Sequence, residues 1–350
     1  MISRTIVRYL ATRIAYLVVM YFVTLTILFM LPRLIPANPI LSLVQDIYGT
    51  YYSGAYTYEQ IPAIYRSLVE EFGYGKPLWQ QYIDFLSKVF RGDLGTCISS
   101  QFFPLKVNDV IATAIPWTLL LLVPSTIVGW YIGNTWGARA GYKRGSNFER
   151  ASVGLSMVIS QIPEYWFAML LIFAFAVYLG WFPLGKAYSK GYIPNWTDPK
   201  FILDVLWHYA LPFIAVTTRY LFAQIISMRN LIIYELRADY LTFSDSLGVP
   251  DNTLYKYAFR NAMMPQVVNL AIRFGRIIAG QAVIETLFSY PGMGYYLAQA
   301  ISNMDYMLLQ GIFVILVATV YIATFLTDFI HALIDPRVRL GYATPRGMRR

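Results

Sequence analysis

The stretch IAYLVVMYFVTLTILFML, from Ile14 to Leu31, decides the class of this protein. It contains no charged residue, and a helix needs about 17–25 apolar residues to cross a bilayer. A secretory signal peptide is the alternative, because Arg4, Arg8 and Arg13 precede the run. The apolar core of a signal peptide is only about 7–15 residues long. We therefore interpret the run as a retained first transmembrane helix.

The composition indicates a membrane protein along the whole chain. Apolar residues make up 57% of the 350 residues and charged residues 13%, whereas about a quarter of the residues of a soluble domain are charged. Five further apolar runs of bilayer length predict six spans in all. These runs are Ala112–Ala138, Ala151–Leu179, Val205–Met228, Pro265–Phe288 and Met307–Ile334. The predicted fold class is an all-α polytopic membrane protein.

The six spans divide the chain into four predicted parts. The first two are a tail with the first span (residues 1–34) and a polar, aromatic extramembrane domain (residues 35–111). A membrane core (residues 112–334) and a second tail (residues 335–350) follow. Within the extramembrane domain, the stretch EEFGYGKPLWQQYIDFLSKVFRGDLG, from Glu70 to Gly95, predicts a helix bounded by glycines.

The lysines and arginines predict the orientation. With the N-terminus inside, 19 of the 28 fall in inner segments and 9 in outer segments, and cytoplasmic segments retain positive charge. We therefore expect a plasma-membrane protein with both termini in the cytoplasm and residues 35–111 outside. Topology also explains the net charge of +9, because the basic residues form no single patch of the kind that binds nucleic acid.

Four short motifs carry a resemblance to a known family. The string ETLFSYPGMG runs from Glu285 to Gly294, and around it lie GDLG (92–95), DYMLLQG (305–311) and DPRVR (335–339). Together they resemble the first permease type of ATP-driven dipeptide, oligopeptide and nickel importers, over nearly the whole chain. The resemblance implies a permease with six spans and a scoop-like outer domain, which forms half of a translocation pathway and is not an enzyme.

The resemblance also implies partners. They are a second permease subunit, two cytoplasmic ATPase subunits that hold ATP and Mg²⁺, an extracytoplasmic substrate-binding protein and membrane lipid. No cofactor, metal or nucleic acid is expected on this chain.

The implied substrate is a di- or oligopeptide, and an oligosaccharide is the alternative. The chain is 17% aromatic and aromatic faces suit sugar rings, but Tyr and Trp also gather at membrane interfaces. A third hypothesis for the function is a membrane scaffold or a membrane enzyme. The sequence lacks HExxH, a nucleophile elbow and paired histidines, so catalysis is not expected.

The loop between spans four and five, Arg229–Met264, is called the inner loop. The run GVPDN from Gly248 to Asn252 predicts the end of one short helix and the start of another. In the resembled family this position docks into the ATPase, although Thr242–Ser244 replace its usual Glu-Ala-Ala-like triplet. A solvated loop is the alternative, but this loop has Leu, Phe and Tyr residues to cover. The coupling candidates are Asp239, Tyr240, Ser244, Asp245, Ser246, Leu247, Gly248, Val249 and Arg260.

Polar residues inside the predicted spans are candidates for the translocation pathway. A charge near the bilayer centre costs about 2.5–3.5 kcal/mol on insertion scales, so each should face protein or water. Arg273, Arg276 and Gly280 lie at helical intervals on one face. For any single residue, a structural contact between helices is the alternative. The pathway candidates are Glu164, Arg219, Arg273, Arg276, Gln281 and Glu285.

The connection between spans five and six, Phe288–Asp305, is called the outer connection. Its prolines and glycines predict a turn on the outer side, and in the resembled family it dips back towards the pathway. A rigid turn chosen for its shape is the alternative. The candidates here are Tyr290, Pro291, Gly292, Gly294 and Asp305.

Three further sequence features concern nucleotide binding, glycosylation and disulfide formation. GWFPLGKA, from Gly180 to Ala187, fits a phosphate loop except at its last position, where Ala187 lacks the hydroxyl that binds Mg²⁺. Asn195 begins a glycosylation sequon on a predicted outer loop. Cys97 is the single cysteine, which excludes an internal disulfide.

Overall fold

The computed structural model describes residues 4–34, 40–44, 61–192, 194–274, 277 and 282–334. These residues are largely helical, and pairing of the strand type is confined there to one isolated bridge between Thr96 and Lys106. The chain divides into two compact units, Met1–Ile115 with Tyr296–Arg350, and Pro116–Tyr295.

The α-helices are numbered in chain order. They are α1 (Arg4–Leu34), α2 (Ile61–Glu71), α3 (Leu78–Phe90), α4 (Val107–Tyr142), α5 (Asn147–Gln161), α6 (Glu164–Leu171), α7 (Pro199–Glu235), α8 (Asp239–Ser246), α9 (Asp251–Phe274), α10 (Ala282–Leu287), α11 (Met293–Ser302) and α12 (Tyr306–Ile334). A π-helical segment, Ile172–Tyr178, directly continues α6.

Four of the described helices are long and apolar enough to cross a membrane. They are α4, α7, Ala11–Leu34 within α1 and Tyr306–Leu326 within α12. These helices coincide with the first, second, fourth and sixth predicted spans, and a multi-pass membrane protein follows. The helix predicted between glycines in residues 70–95 is also present, as α3.

The third predicted span, Ala151–Leu179, is not one straight helix. It is divided into α5 and α6 with its π-helical continuation, and the two parts meet at 96°. Ile162 adopts an extended backbone, with ψ of 125°, because the residue before a proline is disfavoured in the α conformation. Pro163 therefore breaks the apolar run that composition alone had joined.

The fifth predicted span, Pro265–Phe288, also differs from the structure. Its helix begins much earlier, at Asp251, and Pro265 lies inside α9. Asp251 follows Pro250 and places an acidic side chain in the first turn, where the helix dipole favours it. Residues 275–276 and 278–281 lie outside the described part of the chain, and helical structure is described again at α10.

A row of glycines lets α4 approach α7 closely. Gly129, Gly133, Gly137 and Gly141 recur every fourth residue on α4. An added Cβ would lie 2.9 Å from the Thr217 carbonyl at Gly129, and 2.6 Å from the Leu221 carbonyl at Gly133. Small residues at this spacing allow membrane helices to pack backbone to backbone.

Within the first unit, polar contacts join α1 to α12. Arg13 forms an ion pair with Asp328 at 2.8 Å, and the Gln310 amide donates to the Leu28 carbonyl at 3.0 Å. Buried side chains of this unit include Ile40, Leu68 and Ile98. Its first and last long helices are therefore fixed together.

Candidate functional site

Glu285 lies in α10, just before the outer connection, and is fully buried. Its Oε2 atom accepts hydrogen bonds from the amides of Gly294 at 2.6 Å and Tyr295 at 3.3 Å, in the first turn of α11. The Thr118 hydroxyl donates to Oε1 at 2.9 Å and accepts from the Met293 amide at 2.8 Å. A carboxylate here satisfies free helix amides and meets the positive end of the helix dipole. Glu285 therefore holds the turn between α10 and α11.

The string around Glu285 is shaped by close packing. A Cβ on Gly292 would lie 2.5 Å from the Thr118 hydroxyl and would overlap the Glu285 carboxylate. Tyr290 is fully buried and meets Trp117 edge-on, with ring centroids 5.7 Å apart. Pro291 separates the buried ring from this glycine. The string thus has small residues where the backbone passes a buried carboxylate.

Asp305 begins α12 as a second fully buried carboxylate. Its Oδ1 atom accepts from the Leu308 amide at 3.0 Å, which is a helix N-cap. Its Oδ2 atom accepts from the amides of Ile98 and Ser99, each at 3.0 Å, and from the Ser99 hydroxyl at 2.9 Å. One side chain therefore caps α12 and fixes the segment that precedes α4.

The phosphate-loop lookalike packs against the outer connection. The Lys186 amide donates to the Phe288 carbonyl at 2.6 Å, and a Cβ on Gly185 would lie 2.5 Å from the same oxygen. The Lys186 amide is therefore not available to a phosphate. In the nearby sequon, the Asn195 side chain accepts from the Thr197 amide at 3.0 Å and the Thr197 hydroxyl at 2.7 Å.

A polar cavity of about 580 Å³ lies between α4, α7 and α9. Four of its lining residues are apolar, six carry a hydroxyl or amide group, and one, Arg273, carries a guanidinium. The lining residues are Leu122, Thr126, Tyr220, Ala223, Gln224, Ser227, Gln266, Asn269, Ile272, Arg273 and Ile277.

A hydrogen-bond network forms one wall of the cavity. The Gln224 amide donates to the side-chain oxygens of Gln266 and Asn134, and the Gln266 amide donates to the Ser227 hydroxyl at 2.8 Å. The Trp130 indole donates to the Gln266 carbonyl at 3.2 Å. The network joins α4, α7 and α9, because buried amides in an apolar environment need partners.

The charged pathway candidates do not form one group. Arg273 lines the cavity, and its guanidinium lies 4.8 Å from the centre of the Tyr220 ring. Glu164 and Arg219 form an ion pair at 3.8 Å. Neither of them lines this cavity, nor does Glu285 of α10. Arg276 and Gln281 lie outside the described residues.

The inner loop has one helix on each side of Gly248, as its turn signal predicted, but only the first, α8, is short; α9 has 24 residues and continues beyond the loop to Phe274. α8 ends at Ser246, and Gly248 has a φ of +77° before α9 begins. Leu241 is buried against Ala258 and its neighbours. Phe243, in α8, and Leu247, which directly follows this helix, are 64% and 67% exposed. This leaves an apolar pair facing outward from the loop.

The remaining coupling candidates lie on α8, in the turn that follows it and on α9. The Tyr240 hydroxyl donates to Glu235 Oε2 at 2.7 Å, and burial, followed by this bond, raises the pKa of Tyr240. The Ser244 and Ser246 hydroxyls each bond to a carbonyl of α8. Val249 packs beside the buried cluster, whereas Asp239, Asp245 and Arg260 are exposed.

Two contacts tie the inner loop and its flanks to α4 and α5. The Tyr142 hydroxyl, at the end of α4, donates to the Asp251 carbonyl at 3.0 Å. Arg229 donates from Nε to Glu149 at 2.8 Å, and Glu149 also accepts the Gly145 amide at 2.5 Å. Hydrogen bonds therefore connect the inner loop and its flanks to α4, α5 and α7.

Several site residues were missed from the sequence because they are polar but uncharged. Thr118, Gln224, Gln266 and Asn269 lie in or beside the apolar runs, and a search for amides and hydroxyls within spans would have found them. In the described part of the chain, no group of three or more His, Cys, Asp or Glu side chains is arranged to hold a metal ion.

The sequence matches a known transporter family. The family described as binding-protein-dependent transport system inner membrane component matches residues 133–340, more than half of the chain.

Curated relatives match beyond that core. The di/tripeptide transport system permease protein DppB of Pseudomonas aeruginosa is 28% identical over 347 residues, covering 95% of this chain and 98% of the relative. The oligopeptide transport system permease protein AppB of Bacillus subtilis is 28% identical over 274 residues, with coverages of 78% and 84%. The oligopeptide transport system permease protein OppB of Haemophilus influenzae is 27% identical over 319 residues, with coverages of 91% and 94%.

Proposed function

The chain belongs to the family of binding-protein-dependent transport system inner membrane components, and on that premise we propose that it is one of two permease subunits of an ATP-driven importer of di- and oligopeptides. The observation that carries the proposal is the similarity along nearly the whole chain to permeases named for peptide transport. The polar cavity between α4, α7 and α9 fits a hydrophilic solute better than a lipid-soluble one.

The partners in the proposal are a second permease, two cytoplasmic ATPases and an extracytoplasmic substrate-binding protein. The six spans, cytoplasmic termini and outer domain over residues 35–111 are part of the same proposal. ATP and Mg²⁺ belong to the ATPases. This chain contributes no catalytic group, and its role is to bind, orient and release the solute.

The mechanism is alternating access driven through the inner loop. The exposed pair Phe243 and Leu247 supplies apolar surface for an ATPase groove. When the ATPases close, the loop moves, and Tyr142 carries that motion to α4. The glycine row packs α4 directly on α7, so the two helices shift as one body and change the access to the cavity.

On the other side, the outer domain and the outer connection receive the loaded substrate-binding protein. Glu285 and Asp305 hold the two ends of the connection in fixed turns. Fixed turns keep the docking surface pre-organised, which lowers the entropy cost of binding.

Reconstitution into proteoliposomes tests the proposal. The chain alone should hydrolyse no ATP and import nothing, whereas the full assembly of two permeases, two ATPases and the binding protein should import labelled di- and oligopeptides. Import of oligosaccharides and not peptides by the full assembly would replace the substrate assignment. Uptake by the isolated chain would overturn the permease-subunit role.

A further inference from the structure

We propose that the cavity between α4, α7 and α9 recognises the C-terminal carboxylate of the transported peptide, and that Arg273 is the residue that binds it. The inference rests on the proposed function and deepens it. It predicts that a peptide needs a free carboxyl terminus for passage through the permease, beyond its capture by the binding protein.

The charge balance of the cavity carries the first step. Arg273 is the one formally charged side chain among the described lining residues, and none of those residues is acidic. The interaction described for its guanidinium is with the Tyr220 ring, at 4.8 Å. A cation–π contact of this kind leaves the five N–H donors of a guanidinium able to bind a planar carboxylate. These donors are left to meet a ligand.

The position within the helices gives the second step. Thr126, Tyr220 and Arg273 lie within the second, fourth and fifth predicted spans, so the cavity lies among the predicted spans of the membrane core. An arginine within a membrane core is costly unless it faces water or a polar partner. A carboxylate ligand offsets that cost, because arginine binds it with two parallel hydrogen bonds.

Polar side chains on the same helical faces complete the site. On α9, Gln266, Asn269 and Arg273 lie at intervals of three and four residues, and therefore on one face. The Gln266 amide is held by Gln224 and Ser227, whereas Asn269 is exposed beside Arg273. Its amide both donates and accepts, which suits a peptide group next to a bound carboxylate. A peptide amino terminus has no acidic partner among these residues.

The test compares a labelled peptide with the same peptide amidated at its C-terminus. The complete assembly is reconstituted with wild-type chain or with Arg273→Gln, and the affinity of the binding protein for both peptides is measured separately. Uptake is then measured with saturated binding protein, so that capture does not set the rate. Arg273→Lys serves as the conservative variant, because it retains the charge but not the bidentate geometry.

The wild type should import the free acid about 10-fold or more faster than the amide, as expected for hydrogen bonds to a charged group. Arg273→Gln should bring the ratio close to one by slowing the free acid, and Arg273→Lys should restore part of the preference. ATP hydrolysis by each assembly shows that the subunits are folded and joined.

Two outcomes overturn the inference while leaving the proposed function in place. One is wild-type uptake of acid and amide at equal rates, which needs no variant and so does not depend on folding. The other is an unchanged preference in an active Arg273→Gln assembly. Failure of the wild type to import any peptide overturns the proposed function as well.

Discussion

At the scale of single residues, the buried carboxylate of Glu285 stabilises the turn between α10 and α11. It accepts bonds from a hydroxyl and two backbone amides, and each buried donor left without an acceptor costs about 1–3 kcal/mol. We expect Glu285→Ala to lower the unfolding free energy by about 2–4 kcal/mol, measured as a fall in the melting temperature of the purified permease in detergent. Thr286→Ala, which removes an exposed hydroxyl bonded only within its helix, is the control and should change little. Equal melting temperatures for both variants would contradict the role of Glu285.

Gly248 is constrained by its backbone and not by its neighbours. Its φ is +77°, and an added Cβ would meet no atom within 4 Å. Gly248→Ala should strain the left-handed conformation by about 1–2 kcal/mol and so shift α8 relative to α9. We expect ATP hydrolysis by the assembly to persist while peptide uptake falls.

Two further variants separate conformation from size in that experiment. Gly248→Asn should keep more uptake, because Asn tolerates the left-handed region. Gly154→Ala adds the same methyl group at an exposed helical position with nothing within 4 Å and should leave uptake intact. Normal uptake by Gly248→Ala at normal expression would remove the coupling assignment.

Cys97 is buried and close to a negative charge. Burial, and secondarily Asp305, raises the pKa of its thiol to about 12. Only the thiolate reacts with maleimides, and a raised pKa keeps the thiol protonated from pH 6 to pH 9. The folded protein should therefore resist labelling throughout this range and label fully after denaturation, as measured by mass spectrometry. Rapid labelling of the folded chain at pH 7 would contradict the burial of this thiol.

At the scale of helices, apolar content located most of the elements but not their breaks. The runs around Ile14–Leu31 and Val205–Met228 lie within α1 and α7, because lipid-spanning helices must satisfy their backbone internally. The break at Pro163 was visible in the sequence, yet the apolar run continued through it. The turn at Gly248 marked the start of α9, but the sequence did not show that this helix continues through Pro265 into the fifth predicted span. Asp251–Met264 is polar, and its packing against α4 and α8 supports the helix there.

The candidate site was predictable in part. The string around Glu285 and the turn at Gly248 are local signals, and both correspond to turns in the structure. The cavity combines residues from three helices that are far apart in the sequence. The charge of Arg273 marks it in the sequence as a pathway candidate. Asn269 and Gln224 carry no such signal, and only the tertiary packing places them in the cavity.

The glycine row gives a prediction about α4 and α7. Gly133→Ala would place a methyl group 2.6 Å from the Leu221 carbonyl, so the helices must separate. Overpacking of this kind costs about 1–3 kcal/mol and should lower the melting temperature and the yield of assembled transporter. Gly154→Ala is again the matched control, since it replaces a helical glycine in open space. A melting temperature of Gly133→Ala as high as that of the control would contradict close packing at this row.

At the scale of the whole molecule, orientation is testable because the single natural thiol is buried. Cysteines introduced at exposed positions report their side of the membrane to an impermeant maleimide. Ser67→Cys, in the proposed outer domain, should label in intact cells. Lys143→Cys, between α4 and α5, should label only after permeabilisation, and labelling of Lys143→Cys in intact cells would reverse the orientation.

The bonds of Asp305 give the first unit a mechanical property. They join residues 98–99 to the start of α12, a helix of 29 residues that measures about 44 Å. Near its other end, α12 is pinned to α1 through Asp328 and Arg13. A protein that binds the segment at residues 98–99 therefore contacts one end of a helix as long as the bilayer is thick. Because a helix is stiff along its axis, a force applied at this segment reaches the far end of α12 and its contact with α1.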